Sequence, residues 1–236
     1  MYKSKKVSVV IPTYNEADSI EKNINGFYDT GFVDEVVVVN NNALGDTDTV
    51  VGRTKAKQVF EKEKQGYGFA LMRGLNEAAG DLIVMVEGDG TFEPKDIHKF
   101  LLYSEDFQAV FGTRTSRASI WSGAFMPFPV RFGNWLWAKF LEVMHNGSTL
   151  TDVGCTYKMI SREVLEEIKP LFKLSRGDGK FSPELMIWIL KKGIKPIEIP
   201  VLFKPRVGQS MYTGSVIKAA VLGFKMIWLI IKYKFI

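Results

Sequence analysis

Glu87 and Asp89 stand one residue apart in Val84-Met85-Val86-Glu87-Gly88-Asp89-Gly90, where an apolar run ends. Alternate residues of an extended chain share a face, so both carboxylates can address one pocket. The flanking glycines allow close backbone approach. Two hard oxygen donors with open positions suit Mg²⁺ or Mn²⁺ bridging a diphosphate better than a closed protein cage. The plainer alternative is an acidic turn, since Asp-Gly is a common turn dipeptide.

Other polar groups sit where apolar runs stop. Pro12-Thr13-Tyr14-Asn15-Glu16 reads as a strand-to-helix turn with Asn15 as its cap. Asn40-Asn41-Asn42 offers donors and acceptors matched to a nucleobase or ribose edge, although Asn-rich loops are common. Arg114, Arg131 and Arg206, with Lys204, are either solvated surface charges or an anion-binding cluster, since guanidinium matches phosphate bidentately. Asp152, within Leu150-Thr151-Asp152-Val153-Gly154, is a loop cap, a buried base or a substrate-positioning carboxylate. Gly66-Tyr67-Gly68 lacks the third glycine of a dinucleotide loop, and Gly177-Asp178-Gly179-Lys180 lacks P-loop spacing; neither motif stands.

Something must hold these residues together. Residues 7–12, 36–40, 82–86 and 109–113 are short apolar runs, as expected of strands buried on both faces. Residues 16–28, 46–55 and 67–79 read as helices between them, the last stopped by Gly80, and another helix starts near Pro94. Repeated strand–helix–strand units imply a mostly parallel sheet flanked by helices, with ligands outside the carboxyl ends of the strands. Those ends carry the polar residues above. The second half is less regular: an aromatic loop over 116–129 (Trp121, Phe125, Phe128), helices over 130–144 and 182–191, and strands over 154–160 and 194–203. The expected organisation is one α/β domain over residues 1–212 and a helical tail over 213–236.

Composition narrows the function. A chain of 236 residues buries a sizeable core without staples. One cysteine (Cys155) and two histidines (His98, His145) leave no intrachain disulfide and make a Cys/His zinc site a poor fit. Residues 191–236 carry nine Lys/Arg against the single acid Glu198, whereas residues 1–190 are net negative. That division disfavours a nucleic-acid partner and suggests an anionic membrane surface for the tail. On a helix, Lys218, Lys225 and Lys232 form one stripe amid apolar residues. A lysine at mid-bilayer costs ~2.5–3.5 kcal/mol, so a helix lying in the membrane interface fits better than a span, with a core-packed helix as the alternative. The start, MYKSKK before VSVVIP, lacks a signal-peptide pattern. The expected location is cytoplasmic, peripheral at the cytoplasmic face of the membrane.

Taken in order, the motifs resemble the GT-A-fold glycosyltransferases of family 2, in the branch with dolichol-phosphate mannose synthase and polyprenyl-phosphate glycosyltransferases. VSVVIPTYNE resembles the first strand and nucleotide turn, and VVVVNNNALGDT stands at the acidic second strand end. KQGYGFALMRGLNEAAGDLIVMVEGDG resembles the glycine turn, helix and D-x-D strand. FGTR, TDVGCTYKMISREVL and EIPVLFKPRVGQSM resemble the later acceptor-side elements, and Arg131 and Asn134 lie in a comparable helix. The resemblance implies a single GT-A (Rossmann-like) domain that inverts the anomeric carbon by direct displacement. It places Mg²⁺ or Mn²⁺ on Asp89 with Glu87, and the nucleotide near Pro12, Tyr14, Asn15, Glu16, Asn40, Asn42, Gly68 and Gly88. It places the acceptor near Arg114, Arg131, Asn134, Arg206 and Ser210, and gives catalytic roles to Asp89, Asp152, Arg114, Arg131 and Arg206. Three departures stand out: Glu87 for the first Asp of D-x-D, Asn40-Asn41 for an acidic pair, and Gly154-Cys155-Thr156 near Ser-Gly-Phe.

The implied donor is a UDP- or GDP-linked sugar. A lipid-phosphate acceptor is already anionic at neutral pH and needs only positioning. A hydroxyl acceptor needs a general base, for which Asp152 is the choice. A nucleotidyltransferase and a non-catalytic, membrane-peripheral nucleotide-binding protein are the other classes.

Overall fold

The computed structural model describes residues 1–43, 45–172, 180–208 and 216–236. In chain order its elements are β1 (Val7–Thr13), α1 (Ala17–Tyr28), β2 (Glu35–Asn40), α2 (Thr47–Gly52), β3 (Lys57–Phe60), α3 (Tyr67–Glu77) and β4 (Leu82–Met85). There follow α4 (Ile97–Tyr103), β5 (Ala109–Thr113), α5 (Phe128–His145), β6 (Lys158–Ser161), α6 (Arg162–Ile168), α7 (Phe181–Lys191), β7 (Ile197–Pro200) and α8 (Val216–Lys234). The strands form one sheet in the order β3-β2-β1-β4-β6-β5-β7.

The Val-rich runs do become the sheet interior. Val36 to Val39 are fully buried, so both faces of β2 are covered and no alternation is visible in the sequence. Ile20, Ile24 and Phe27 of α1 cover one face of the sheet, while Ala70, Leu71 and Leu75 of α3 cover the other. Gly74 lets α3 touch the sheet, for a Cβ there would lie 2.4 Å from Val10 Cγ1.

The sheet is mostly parallel, as expected, and four local details differ. β6 runs antiparallel between β4 and β5, so the sheet is parallel except for one inner strand. The strand expected over 154–160 begins only at Lys158, because Asp152 and Gly154 are bound into a loop with Arg114. α6 was not expected; Ser161 starts it, its hydroxyl accepting from the Val164 N–H. Asn15 is not the cap of α1. It takes a left-handed conformation (φ 55°), and α1 follows Glu16. Gly80 does not stop α3, which ends at Glu77 with Ala78 extended.

The tail is a helix with two faces. Met226, Leu229, Ile230 and Tyr233 of α8 are buried against α5 and α7, and Tyr233 Oη donates to Glu184. Lys191 Nζ donates to the Tyr233 carbonyl at 2.8 Å. The opposite face exposes Ile217, Val221, Phe224, Trp228, Ile231 and Phe235. Lys225 is exposed on this side, and Lys232 Nζ lies 4.7 Å from the Trp228 ring centroid. The helix thus packs on the core by one face, and its outer ridge is apolar. The expected boundary at 212/213 lies outside the described residues.

Candidate active site

The carboxyl ends of β1, β2 and β4 open on a cleft of about 830 Å³. Pro12, Thr13, Tyr14, Glu16, Asn41 and Gln65 line it from these strands and the loop before α3. Glu87, Asp89 and Thr91 line it after β4, with Arg206 opposite. Arg114, Asn134, Gly154 and Thr156 line its β5–α5 side, and Val130, Trp137, Leu222 and Phe224 continue it where α5 packs on α8.

Asp89 is almost wholly buried, and its two oxygens do different work. Oδ1 accepts from the Thr91 N–H (3.0 Å) and hydroxyl (2.6 Å), which fixes the carboxylate plane. Oδ2 receives no hydrogen bond of proper geometry but lies 2.7 Å from Arg206 Nη1 as an ion pair. Arg206 Nη2 donates to Glu16 Oε1 at 3.0 Å, leaving Glu16 Oε2 buried without a donor. Burial and then the neighbouring Asp89 charge push Glu16 up to about 7 and raise Glu87 as well. Gly88 permits this crowding, since a Cβ there would lie 2.7 Å from Glu16 Oε2.

These residues fit a divalent ion. Asp89 Oδ2 is a buried carboxylate oxygen that accepts no hydrogen bond, and Glu16 and Glu87 line the same cleft. Among the described residues no three His, Cys, Asp or Glu side chains converge as a metal cage. An ion here would need ligands beyond the protein's own, which suits Mg²⁺ and Mn²⁺.

Arg114 and Asp152 form the second charged feature. Arg114 Nε and N–H both donate to Asp152 Oδ2 at 2.9 Å, and Nη2 donates to Oδ1 at 3.0 Å. Glu198 on β7 anchors the loop by accepting from the Thr151 N–H and hydroxyl and the Asp152 N–H. Burial opposes the Asp152 charge, but the Arg114 guanidinium beside it holds its carboxyl below the usual range. A carboxylate with four donors and a depressed pKa is a poor proton acceptor. Of the roles left open for Asp152, a positioning carboxylate suits these bonds to Arg114 better than a general base.

Of the other expected residues, Pro12, Tyr14, Glu16, Arg114, Asn134 and Arg206 line the cleft. Asn15, Asn40, Asn42, Gly68, Gly88 and Arg131 do not. Asn40 Nδ2 donates to Asp48, and Asn42 Nδ2 to Gln65 Oε1 at 2.9 Å, so both are spent on local structure. Asn41 reaches the cleft, but its amide holds the loop before α3 by donating to the Glu61 and Lys64 carbonyls and accepting from the Gly66 N–H. Arg131 lies on α5 with its guanidinium 5.9 Å from the Phe128 ring centroid, at the edge of cation–π range. Gly88 works through its carbonyl, which accepts from Ser19 and Asn23. Ser210 lies outside the described residues.

Sequence reading missed Thr13, Gln65, Tyr67 and Thr156. Thr13 and Thr156 are in the cleft wall, their hydroxyls beside Glu16 and Tyr67 respectively. Burial, then the Glu87 charge, raise the Tyr67 phenol well above its ordinary value, so it stays a hydrogen-bond donor. Tyr67 sat inside the rejected Gly-x-Gly motif, and that helix-opening position was the available signal.

A carboxylate cluster, a cation facing it and an open cleft at parallel strand ends are the parts of a site for a metal-bound diphosphate. Residues 8–169 match the profile of Glycosyl transferase family 2. The chain belongs to that family. It is 28% identical over 213 residues to a low-salt glycan biosynthesis hexosyltransferase of Haloferax volcanii, covering 86% of this chain but 49% of that protein. The chain thus spans about half the length of that relative. It is 25% identical to the undecaprenyl-phosphate mannosyltransferase of Micrococcus luteus, covering 92% of this chain and 91% of the other. The dolichyl-phosphate hexose transferase of Haloferax volcanii is 27% identical, over 86% and 85% of the two chains. In fold, the chain matches glucosyl-3-phosphoglycerate synthase from Mycobacterium tuberculosis, crystallised with Mn²⁺, UDP and phosphoglyceric acid. The TM-score is 0.74 at 18% identity, covering 98% of this chain and 79% of that one. The family 2 member described here therefore has the GT-A fold, as the resemblance implied.

Proposed function

We propose that the protein moves a sugar from a nucleoside diphosphate sugar to a polyprenyl or dolichyl phosphate, with inversion at the anomeric carbon. The observation that carries this reading is the continuity of the cleft. It joins the Glu16, Glu87 and Asp89 carboxylates to Arg114 and then to the apolar walls of α5 and α8, as a charged head with a hydrocarbon tail requires. Two relatives are named for acceptors of this kind.

In the reaction, an acceptor phosphate oxygen attacks the anomeric carbon as the bond to the nucleoside diphosphate oxygen breaks. Asp89, with Glu87, would hold a divalent ion, which would supply positive charge toward the leaving diphosphate. Thr91 holds Asp89 in a fixed plane. Asp152 holds Arg114 at the β5–α5 side, where it can orient an anionic acceptor. No general base is needed, because a phosphate monoester has its second pKa near ~6.

The test uses purified protein with Mn²⁺, UDP- or GDP-sugars, and either polyprenyl phosphate in detergent micelles or free sugar alcohols. Nucleoside diphosphate release that depends on the lipid phosphate, with glycosylated lipid formed, is the expected result. Release with the alcohols alone would transfer the reading to a hydroxyl acceptor.

The same reading places the protein against a membrane at its cytoplasmic face. No helix among the described residues is long and apolar enough to cross a bilayer. The outer ridge of α8, bordered by Lys225 and Lys232, meets instead the requirements of an interfacial helix. On α5, Phe128, Phe132 and Trp135 stack in sequence at centroid spacings of 5.9 Å and are all exposed. Burying one such side chain contributes ~1.5–3 kcal/mol, so Trp228→Ser with Ile231→Ser should weaken binding to anionic vesicles at least about tenfold. Sedimentation with phosphatidylglycerol vesicles reads this, and unchanged binding would count against the α8 contact.

A further inference from the structure

Arg206 stands where an incoming divalent ion must act. Its Nη1 lies 2.7 Å from Asp89 Oδ2, the oxygen that Thr91 leaves unengaged, while Nη2 holds Glu16 Oε1. A metal ion ligated by that oxygen and a guanidinium paired with it would set two cations on one atom. Like charges at such spacing repel each other.

We propose that Arg206 holds the metal's place: guanidinium and divalent ion are alternative partners of Asp89 Oδ2, and entry of the ion turns Arg206 into the cleft as a phosphate-binding cation. The inference rests on the metal-dependent transferase reading and adds a role for this chain's own arginine.

Three observations support the exchange. The three carboxylates Glu16, Glu87 and Asp89 face one cleft, and Arg206 is ion-paired with two of them; it compensates charge that would otherwise be costly to bury. Arg206 Nε is buried and has no acceptor, so turning the side chain forfeits no hydrogen bond there. A phosphate oxygen would supply the missing acceptor. Finally, the backbone on both sides is fastened to the metal-ligand loop: the Lys204 N–H donates to the Thr91 carbonyl and the Val207 N–H to the Asp89 carbonyl. The guanidinium therefore swings on a fixed base and remains within reach of the diphosphate it would next bind.

The exchange is read by Mn²⁺ binding in the absence of nucleotide, from the loss of the free-ion electron paramagnetic resonance signal at pH 8. Wild type, Arg206→Ala, Arg206→Lys and Lys204→Ala are compared. Lys204 is a second cleft cation, paired with Glu93 rather than with Asp89, so its removal reports the general effect of lost positive charge. Arg206→Ala should bind Mn²⁺ at least about tenfold more tightly than wild type, equivalent to ~1.4 kcal/mol. Lys204→Ala should stay near wild type, and Arg206→Lys should fall between, since an ammonium cannot span both carboxylates as the fork does. Should Arg206→Ala fail to fold, as judged by its melting curve, the lysine variant carries the test. Equal or weaker Mn²⁺ binding by the Arg206 variants, or equal tightening in Lys204→Ala, overturns the exchange. A parallel series with UDP and GDP separates the two ideas. Wild type that binds Mn²⁺ only with a nucleotide, with no gain in the Arg206 variants, overturns the exchange alone. No Mn²⁺ binding by any protein in either series overturns the metal-transferase reading and the exchange together.

Discussion

Asp89→Asn should lower turnover about a thousandfold, the kinetic equivalent of ~4 kcal/mol of charge stabilisation withdrawn from the leaving diphosphate. Asparagine keeps the volume, and its Oδ1 can still accept from the Thr91 N–H and hydroxyl, so the turn after β4 survives. What is lost is the anionic Oδ2, the atom that faces Arg206 and that a metal ion requires. The loss should therefore fall on kcat and on metal-dependent binding rather than on folding. A ligand present at about 100 times its Kd stabilises the folded state by ~2.7 kcal/mol, which gives a readable melting shift. Wild type should show that shift with one nucleoside diphosphate plus Mn²⁺, and Asp89→Asn should not. Glu87→Gln should show a smaller defect, since no described hydrogen bond fixes Glu87 as Thr91 fixes Asp89. If Asp89→Asn keeps both the Mn²⁺-dependent shift and turnover, the ion does not bind at this carboxylate pair.

The candidate site after β4 was legible because one short segment contains it: an apolar strand, two acids at alternate positions and a glycine after each. β1, β2 and β5 were legible for the same local reason, being buried runs bounded by polar residues. The direction of β6 was not. Pairing direction is set by which strands flank it, and periodicity within four residues carries no such information. The amides after β2 show a second limit. All three residue types suit a nucleotide, yet Asn41 is spent on the Glu61, Lys64 and Gly66 backbone and Asn40 on Asp48. Partners eight to 25 residues away decided that. The same distance effect hid the bond between Arg114 and Asp152, which the sequence presents as two unrelated candidates 38 residues apart. For α8 the local pattern left a core-packed and an interfacial helix open, and only the packing against α5 and α7 shows which face is buried.

The second large effect belongs to that pair. Asp152→Asn should destabilise the protein by ~3–5 kcal/mol, because removing one partner leaves the other charge buried without compensation. Asp152 is fully buried and the Arg114 side chain is only 11% exposed, so water cannot take over the guanidinium. For a chain of this size that loss lowers Tm by roughly 6–20 °C. The pH dependence has a definite sign. The folded pKa of Asp152 lies below its ordinary 3.8, so its contribution is complete above that value and disappears as pH falls through the folded pKa. The gap between wild type and variant should therefore be constant near neutrality and close in acid. Replacing both charges, as in Arg114→Met with Asp152→Leu, should recover much of the stability, since buried pairs exchanged for apolar side chains are often neutral or better. The double variant should nevertheless remain inactive, having lost the guanidinium that faces the cleft. A general base makes the opposite pattern: Asp152→Asn would melt like wild type and lose the pH-dependent limb of kcat. Four donors on one carboxylate, two of them from Arg114's guanidinium, argue for the first pattern and so for an acceptor that arrives already ionised.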